Sequence, residues 1–343
     1  MNIPKTMKAV AVTPGLQVED PRSFQDTERT VPIPGDRDLL VKIEAISVNP
    51  IDTKVRRRSP KTPSGSDVIG WDAAGTVVAI GKGVSHFTLG DHVYYAGSIQ
   101  RPGANAEYHL VDERIAARMP QSLSFAEAAA LPLTALTAWE TLFHNFQLPL
   151  GLDSLDRTVL VGASAGGVGS MALQLARVLT NAQLIGTASR QESSAWAKSM
   201  GAHHVVDHRS SLIDQVHEVA PDGVTDIISS QATDLHFSEY AELLAPRGKI
   251  TILDSPTSVN ILELKGKSVS LHWENVFTRP VHQTSDMKVQ GRILEDVARL
   301  VDSGLVRTTL RQEIAGINAA NLRTAHEVLE SGTQIGKLVL TGF

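Results

Sequence analysis

The sequence predicts an α/β chain in two parts, a doubly wound parallel sheet and a β-rich barrel. Three observations predict it. Proline and glycine interrupt short strand patterns through roughly the first 120 residues, the texture of a small barrel with many turns. From residue 157, short apolar runs alternate with longer helical segments in units of about 30 residues, as right-handed β-α crossovers require. One such unit, residues 158–179, runs from a strand through a glycine-rich turn into a helix. A length of 343 residues accommodates about two domains and needs no disulfide or metal staple.

The elements follow in order. Residues 38–47 alternate in part, as a half-buried strand does, and residues 73–81 form a strand bounded by glycine. The run Arg56-Arg57-Arg58 reads as a solvated loop. Gly90-Asp91 makes a turn before a strand at 93–95. Ser124 and Glu127 stand as N-cap and N3 of a capping box, and residues 136–146 read as a helix. Strands follow at 158–161, 184–188, 204–206, 226–228 and 249–253. Helices lie at 168–179 and 192–200, the second stopped by Gly201. The tail carries helices at 293–301 and 320–329 and a strand at 337–340.

Composition excludes several classes. With 42% hydrophobic and 20% charged residues, the chain is globular rather than disordered. A net charge of −5 gives no global basic field, so nucleic acid is not an expected partner. A cysteine count of 0 excludes disulfides, thiolate catalysis, iron–sulfur clusters and thiolate zinc sites. The apolar run at 9–12 is far shorter than the about 7–15 residues of a secretory core. No stretch approaches the ~18 apolar residues of a membrane span, so a soluble, cytoplasmic chain is expected.

The strongest local signal is the glycine turn. The strict G-x-G-x-x-G pattern is not met; what stands here is Ala163-x-x-Gly166-x-x-Gly169. A strand precedes the turn and a helix follows it, so backbone N–H groups can approach a pyrophosphate at the positive end of the helix dipole. Ser164, Gly166, Gly167, Val168 and Gly169 are therefore candidate dinucleotide contacts. About twenty residues on, NAD enzymes carry an acid for the ribose 2′-hydroxyl. Here stand Ser189 and Arg190, with no carboxylate before Glu192. A carboxylate would repel a 2′-phosphate, whereas serine and arginine bind it, so NADPH is the expected cofactor. His208 could reach the same phosphate, and Leu253 with Asp254, where the 249–253 strand ends, completes the candidate set.

Several segments resemble one family. Asn49-Pro50, Asp52 and Arg56 are similar to the N-P-x-D-x-x-x-R segment of quinone reductases. Gly70, Asp72, Ala74 and Gly75 match G-x-D/E-x-A-G, and Phe87, Gly90-Asp91 and Val93 match F-x-x-G-D-x-V. Gly103 to Val111 resembles G-x-x-A-E-Y-x-x-V, and Leu133-Thr134-Ala135 resembles the segment that opens a nucleotide domain. Over nearly its whole length the chain resembles a medium-chain dehydrogenase/reductase of the quinone oxidoreductase (zeta-crystallin-like) branch. His272 to Arg279, Gln283 to Met287 and Ile335 to Leu340 resemble a subgroup labelled zinc-type alcohol dehydrogenase-like.

The resemblance implies a GroES-like barrel from residues 1–133 plus 291–343 and a Rossmann domain at 134–290, with substrate in the cleft between them. Zinc-dependent relatives carry a cysteine near position 49, a His-Glu pair near 71–72 and a four-cysteine lobe after 95. Here those places hold Asn49, Trp71-Asp72 and no cysteine, so no metal ligand is assigned. His92 and His109 read as separate strand-surface histidines. Asn49 takes the cysteine's place at the nicotinamide end, where its amide could donate to a substrate oxygen. Asp52 holds that loop or takes part in catalysis, Tyr95 is a candidate proton donor or wall, and His272 and Trp273 lie near the pocket and dimer edge. Phe277 and Met287 form an apolar wall or core. Thr137 looks like the family's cofactor-contacting threonine, and Lys337 could reach a cofactor phosphate.

The function these readings imply is a zinc-independent, NADPH-dependent hydride transfer to a quinone or an α,β-unsaturated carbonyl, by a homodimer. Acceptors of this kind need no Lewis acid, because hydrogen-bond donors can stabilise the oxygen that becomes negative. The alternatives are a zinc-dependent alcohol dehydrogenase and a non-catalytic NADPH-binding sensor or RNA-binding protein.

Overall fold

The computed structural model describes residues 3–58, 65 and 67–343. Backbone packing divides the chain into two compact units, Met1–Leu133 with Phe277–Phe343, and Thr134–Val276. Residues 277–290, placed by their sequence with the nucleotide part, belong to the first unit. There Phe277 meets Trp71 edge-on at 6.1 Å, and Phe277 and Met287 are buried as core.

The first unit opens on a hairpin, Thr6–Val12 against Phe24–Thr30, with Thr6 level with Thr30. Its second strand is polar along most of its length, so hydrophobic alternation does not reveal it. The main sheet has seven strands. Along it run Leu310–Ala315, Lys337–Thr341, Asp38–Ser47, Ala73–Ile80, His92–Tyr95 and Ala116–Arg118, with Tyr108–Asp112 pairing Asp38–Ser47 off that path. Asp38–Ser47 is its centre: Leu39, Leu40, Val41, Ile43, Ala45 and Ile46 are all buried. Helix Val289–Asp302 packs close to Ala116–Arg118, where a Cβ on Gly291 would come within 2.8 Å of the Arg114 carbonyl oxygen.

The arginine run is helical rather than a loop, and Arg57 and Arg58 are exposed but Arg56 is not. Residues Pro50–Arg57 form a helix, favoured by Pro50 at its first turn and by the Asn49 N–H donating to Asp52 Oδ2 at 2.8 Å. Arg56 is fully buried on it. Its guanidinium donates to the Leu16 carbonyl at 2.5 Å and to Glu330, and lies 5.8 Å from the Phe24 ring centre. Arg57 reaches Glu330 as well, at 2.6 Å. The two arginines thereby pin this helix to helix Ala319–Glu330.

The second unit is a six-stranded parallel sheet. Its order is His204–Val206, Gln183–Thr187, Thr158–Val161, Val224–Ser229, Leu244–Ile252 and Ser270–Trp273. Counted along the unit this is 3-2-1-4-5-6, so the winding direction reverses between Thr158–Val161 and Val224–Ser229. Ligands of such sheets sit outside the carboxyl ends of the strands at that reversal. The opposite end is tied by Arg157, whose Nη2 lies 2.5 Å from a carboxylate oxygen of the buried Asp226. The helix expected over 136–146 is in fact Pro132–Trp139 followed by a wider π-turn at Glu140–Asn145. After that turn the Phe146 carbonyl accepts from Lys249 Nζ at 2.6 Å. Among the described residues no helix is long and apolar enough to cross a membrane.

Candidate functional site

The glycine turn sits at the carboxyl end of Thr158–Val161 and starts helix Gly167–Leu179. Ala163 takes the left-handed conformation (φ 48°), which turns the chain sharply between strand and helix. Gly166 is the N-cap, and no side chain caps the helix. The first-turn N–H groups of Gly167, Val168 and Gly169 have no intrahelical acceptor, so they remain available to an anion. Gly169 is required for a packing reason: its Cβ would lie 2.6 Å from Ser164 Cα. Ser164 does not serve the anion. It is fully buried, and its hydroxyl donates to the Thr187 carbonyl at 2.9 Å.

The ends of the next two strands carry positive charge. Ser189 is half-buried, and exposed Arg190 caps helix Gln191–Ser199. Arg209, absent from the sequence-based set, donates through Nη2 to the Ser189 carbonyl and binds Asp207 at 2.9 Å. That pairing holds the Asp207 carboxyl down at about 2. The only signal for Arg209 in the sequence is its place just beyond the third strand, next to His208. His208 is exposed, its ring edge-on to that of His236 at 6.3 Å, and partial desolvation lowers its pKa. Ser189, Arg190, His208 and Arg209 thus lie at adjoining strand ends. Leu253 follows Leu244–Ile252, its N–H donating to the Ser229 carbonyl at 2.9 Å. Asp254 is occupied elsewhere: it accepts from the Thr233 N–H at 3.1 Å and from the Thr233 hydroxyl, holding the start of helix Thr233–Leu243. Thr137 is buried on Pro132–Trp139. His272 lies on the outermost strand, level with Thr251, its Nε2 buried without a partner.

In the first unit, Asn49, Asp52, Asp72 and Lys337 form one buried cluster. Lys337 Nζ donates to the Val48 carbonyl at 2.7 Å and to Asn49 Oδ1 at 2.5 Å, and stands 3.4 Å from Asp72 Oδ2. The Asn49 amide nitrogen donates to Asp72 Oδ2 at 3.0 Å and also reaches the Trp71 and Ser47 carbonyls at 3.3 and 3.4 Å. Two expectations change here. The hydrogens of Asn49 are committed inside the cluster rather than offered to a substrate, and Lys337 points into this cluster, not toward a phosphate. Burial pushes Asp52 up to about 7 and Asp72 up to about 6, and burial lowers Lys337.

Tyr95 is also engaged. Its ring stacks on His109 at 5.5 Å, and its hydroxyl lies 3.1 Å from His109 Nδ1. His109 Nε2 lies 2.9 Å from the Pro102 carbonyl, so Nε2 carries the hydrogen and Tyr95 donates to Nδ1. His109 is therefore a core residue, not a strand-surface one. Burial drops it to about 4 and raises Tyr95.

Comparison with known proteins gives the chain's family and fold. Residues 35–121 match the alcohol dehydrogenase GroES-like domain family and residues 167–274 the zinc-binding dehydrogenase family. A zinc-type alcohol dehydrogenase-like protein of Staphylococcus aureus is 40% identical over 97% of this chain and 99% of its own. Human quinone oxidoreductase is 32% identical over 67% of this chain and 68% of its own. The chain belongs to the medium-chain dehydrogenase/reductase superfamily. Among solved structures, a candidate zinc-dependent alcohol dehydrogenase of Rhizobium etli superposes with a TM-score of 0.94 at 46% identity, covering 99% of both chains. Escherichia coli quinone oxidoreductase complexed with NADPH gives 0.82 at 27% identity, covering 98% of this chain and 100% of the other. As a medium-chain dehydrogenase/reductase the chain is an oxidoreductase, with the Rossmann and GroES-like folds of that superfamily.

Some members of this superfamily hold zinc, and the residues here do not fit it. The sequence contains no cysteine. Trp71 has no ligating atom to give, since its indole N–H donates to the Ser98 carbonyl at 3.1 Å. The oxygens of Val48, Asn49 and Asp72 already surround the Lys337 ammonium. Among the described residues no group of three His, Cys, Asp or Glu side chains is placed to hold a metal ion. The nicotinamide dinucleotide is a different case: an uncapped helix N-terminus over a glycine turn, with arginines at the neighbouring strand ends, suits a phosphorylated ligand.

Proposed function

We propose that this medium-chain oxidoreductase is zinc-independent and NADPH-dependent, and that it reduces a quinone or an α,β-unsaturated carbonyl. The observation that carries the reading is the cluster at Asn49, where an ammonium and an amide stand in place of metal ligands. With no Lewis acid to polarise an isolated carbonyl, the acceptors that suit the site are those whose developing oxyanion is already delocalised. The likeness to quinone oxidoreductases supports the same choice.

Reduced nicotinamide, when bound, supplies the hydride. The chain's own residues hold and orient it. The amides of Gly167, Val168 and Gly169 bind the pyrophosphate at the helix N-terminus, with Gly166 leaving room for it. Arg190 and Arg209 bind the 2′-phosphate beside Ser189 and His208. Thr137 and Leu253 flank the nicotinamide end. Asn49 and Asp52 fix the loop before helix Pro50–Arg57 rather than touch substrate. The dimer this reading includes pairs through Ser270–Trp273, the outermost strand of the sheet, where Trp273 is 60% exposed.

The test is NADPH oxidation, followed by absorbance, against 1,4-benzoquinone, 9,10-phenanthrenequinone, an enone and a simple aldehyde, with and without chelator. Chelator-insensitive turnover of a quinone or the enone is the expected result. Turnover of the aldehyde alone, abolished by chelator, overturns it.

A further inference from the structure

The cluster at Lys337 holds two carboxyl groups and one ammonium, all almost wholly buried. A buried site cannot leave an unpaired charge without a large cost, so one of the two acids must be neutral. The hydrogen bonds decide which. Asp72 accepts at both oxygens: from the Leu133 N–H at 2.9 Å, and from Asn49 Nδ2 at 3.0 Å with the ammonium nearby. It is served as a carboxylate. Asp52 accepts the Asn49 N–H at Oδ2; the Trp71 N–H is also directed at its carboxyl, but Oδ1 completes no hydrogen bond of good geometry. An unpartnered oxygen in a buried place costs more when it carries charge than when it is neutral, so the proton falls on Asp52 rather than Asp72.

We propose that Lys337 is a positioning residue: its ammonium, paired with the Asp72 carboxylate and beside Asp52 kept as the acid, is a built-in cation that takes a metal's place and fixes the Asn49 loop. The charges that act on each member come from within the cluster. Asp52 feels Lys337 and Asp72, and Lys337 feels Asp72 and Asp52. Arg56, on the same helix as Asp52, is spent on Glu330 and Leu16. The ammonium also binds distant parts of the chain, since its acceptor Asn49 lies 288 positions away. The upward shift of both Asp52 and Asp72, caused by burial, agrees with a cluster that holds one proton more than exposed carboxyls would.

The experiment measures thermal unfolding of the full chain between pH 5 and 8, with bound metal counted by mass spectrometry after incubation with zinc and desalting. None of its readouts is turnover, so failure here is distinct from failure of the proposed reaction. Wild type is expected to retain no stoichiometric zinc. Lys337→Met should melt lower by roughly 5–10 °C at pH 8 and by much less at pH 5, where Asp72 can take a proton. The double variant Lys337→Met/Asp72→Asn should show a deficit against wild type that is nearly the same at pH 5 and pH 8, and should melt above the single variant at pH 8. If Lys337→Met does not fold at all, recovery of a folded double variant supports the proposal and failure of both overturns it. A loss that is equal at both pH values and unrelieved by Asp72→Asn overturns it, as does zinc held one-to-one by wild type.

Discussion

At the scale of single residues, charge and proton placement dominate. Arg209 is set by its bonds to Asp207 and the Ser189 carbonyl, close to Arg190. Replacing Arg190 or Arg209 by alanine should weaken NADPH binding by about 1–3 kcal/mol, the range of a lost charge-assisted hydrogen bond, and barely change NADH. Fluorescence titration with both cofactors checks this, and equal losses would remove the 2′-phosphate assignment. Asp52 gives a pH prediction with a definite sign. Its folded value, about 7, lies above the ordinary 3.8. The stability it lends is fully present below about pH 4 and is lost as pH rises through about 7. Asp52→Asn keeps an oxygen for the Asn49 N–H but cannot ionise. The variant should therefore match or exceed wild type in melting temperature at pH 8 and show a flatter profile from pH 4 to 8. A variant that melts well below wild type at pH 8 would mean that Asp52 works as a carboxylate.

At the scale of elements, the glycine turn was the most legible part of the chain. Strand, turn and helix are adjacent in sequence, so spacing alone places Gly166, Gly167, Val168 and Gly169. Side-chain roles are less legible, because the partner that decides them lies elsewhere in the chain. Arg56 looks like one of three solvated arginines until its partner Glu330, 274 positions away, is in view. Ser164 and Asp254 are polar residues in the right segments, yet their side chains are used on neighbouring elements, on the Thr187 carbonyl and on Thr233. Pattern reveals the segment but not the direction of the side chain. The close approach at Gly169 supplies the test for this element. Gly169→Ala puts a methyl 2.6 Å from Ser164 Cα. That overpacking should cost about 1–3 kcal/mol in stability and weaken both NADPH and NADH, since the anion site itself shifts. Calorimetry and titration of one sample measure the two effects, and discrimination between cofactors that stays intact separates this variant from Arg190→Ala.

At the scale of the whole molecule, the two units differ in how the chain builds them. The second is one continuous stretch, Thr134–Val276, with its own sheet and core. Expressed alone, residues 134–276 should fold cooperatively and bind NADPH, as circular dichroism and titration would show. The first unit is built from both sides of that stretch, and Lys337–Thr341 lies inside its sheet, between Leu310–Ala315 and Asp38–Ser47. This division was readable in outline from the change of texture near residue 122 and the return of mixed elements in the tail. The return point at Phe277 was not, because nothing in the sequence of 277–290 signals that these residues pack with the first unit.

The position of Lys337–Thr341 also orders events during synthesis. Domains fold as units as they leave the ribosome. The stretch Thr134–Val276 is translated whole before that strand exists, so the second-written unit can be finished first. Throughout that interval Asp38–Ser47 waits without the antiparallel neighbour it pairs with at Val339–Thr341. The Asn49 loop waits as well, its two acids made long before the lysine that neutralises one of them.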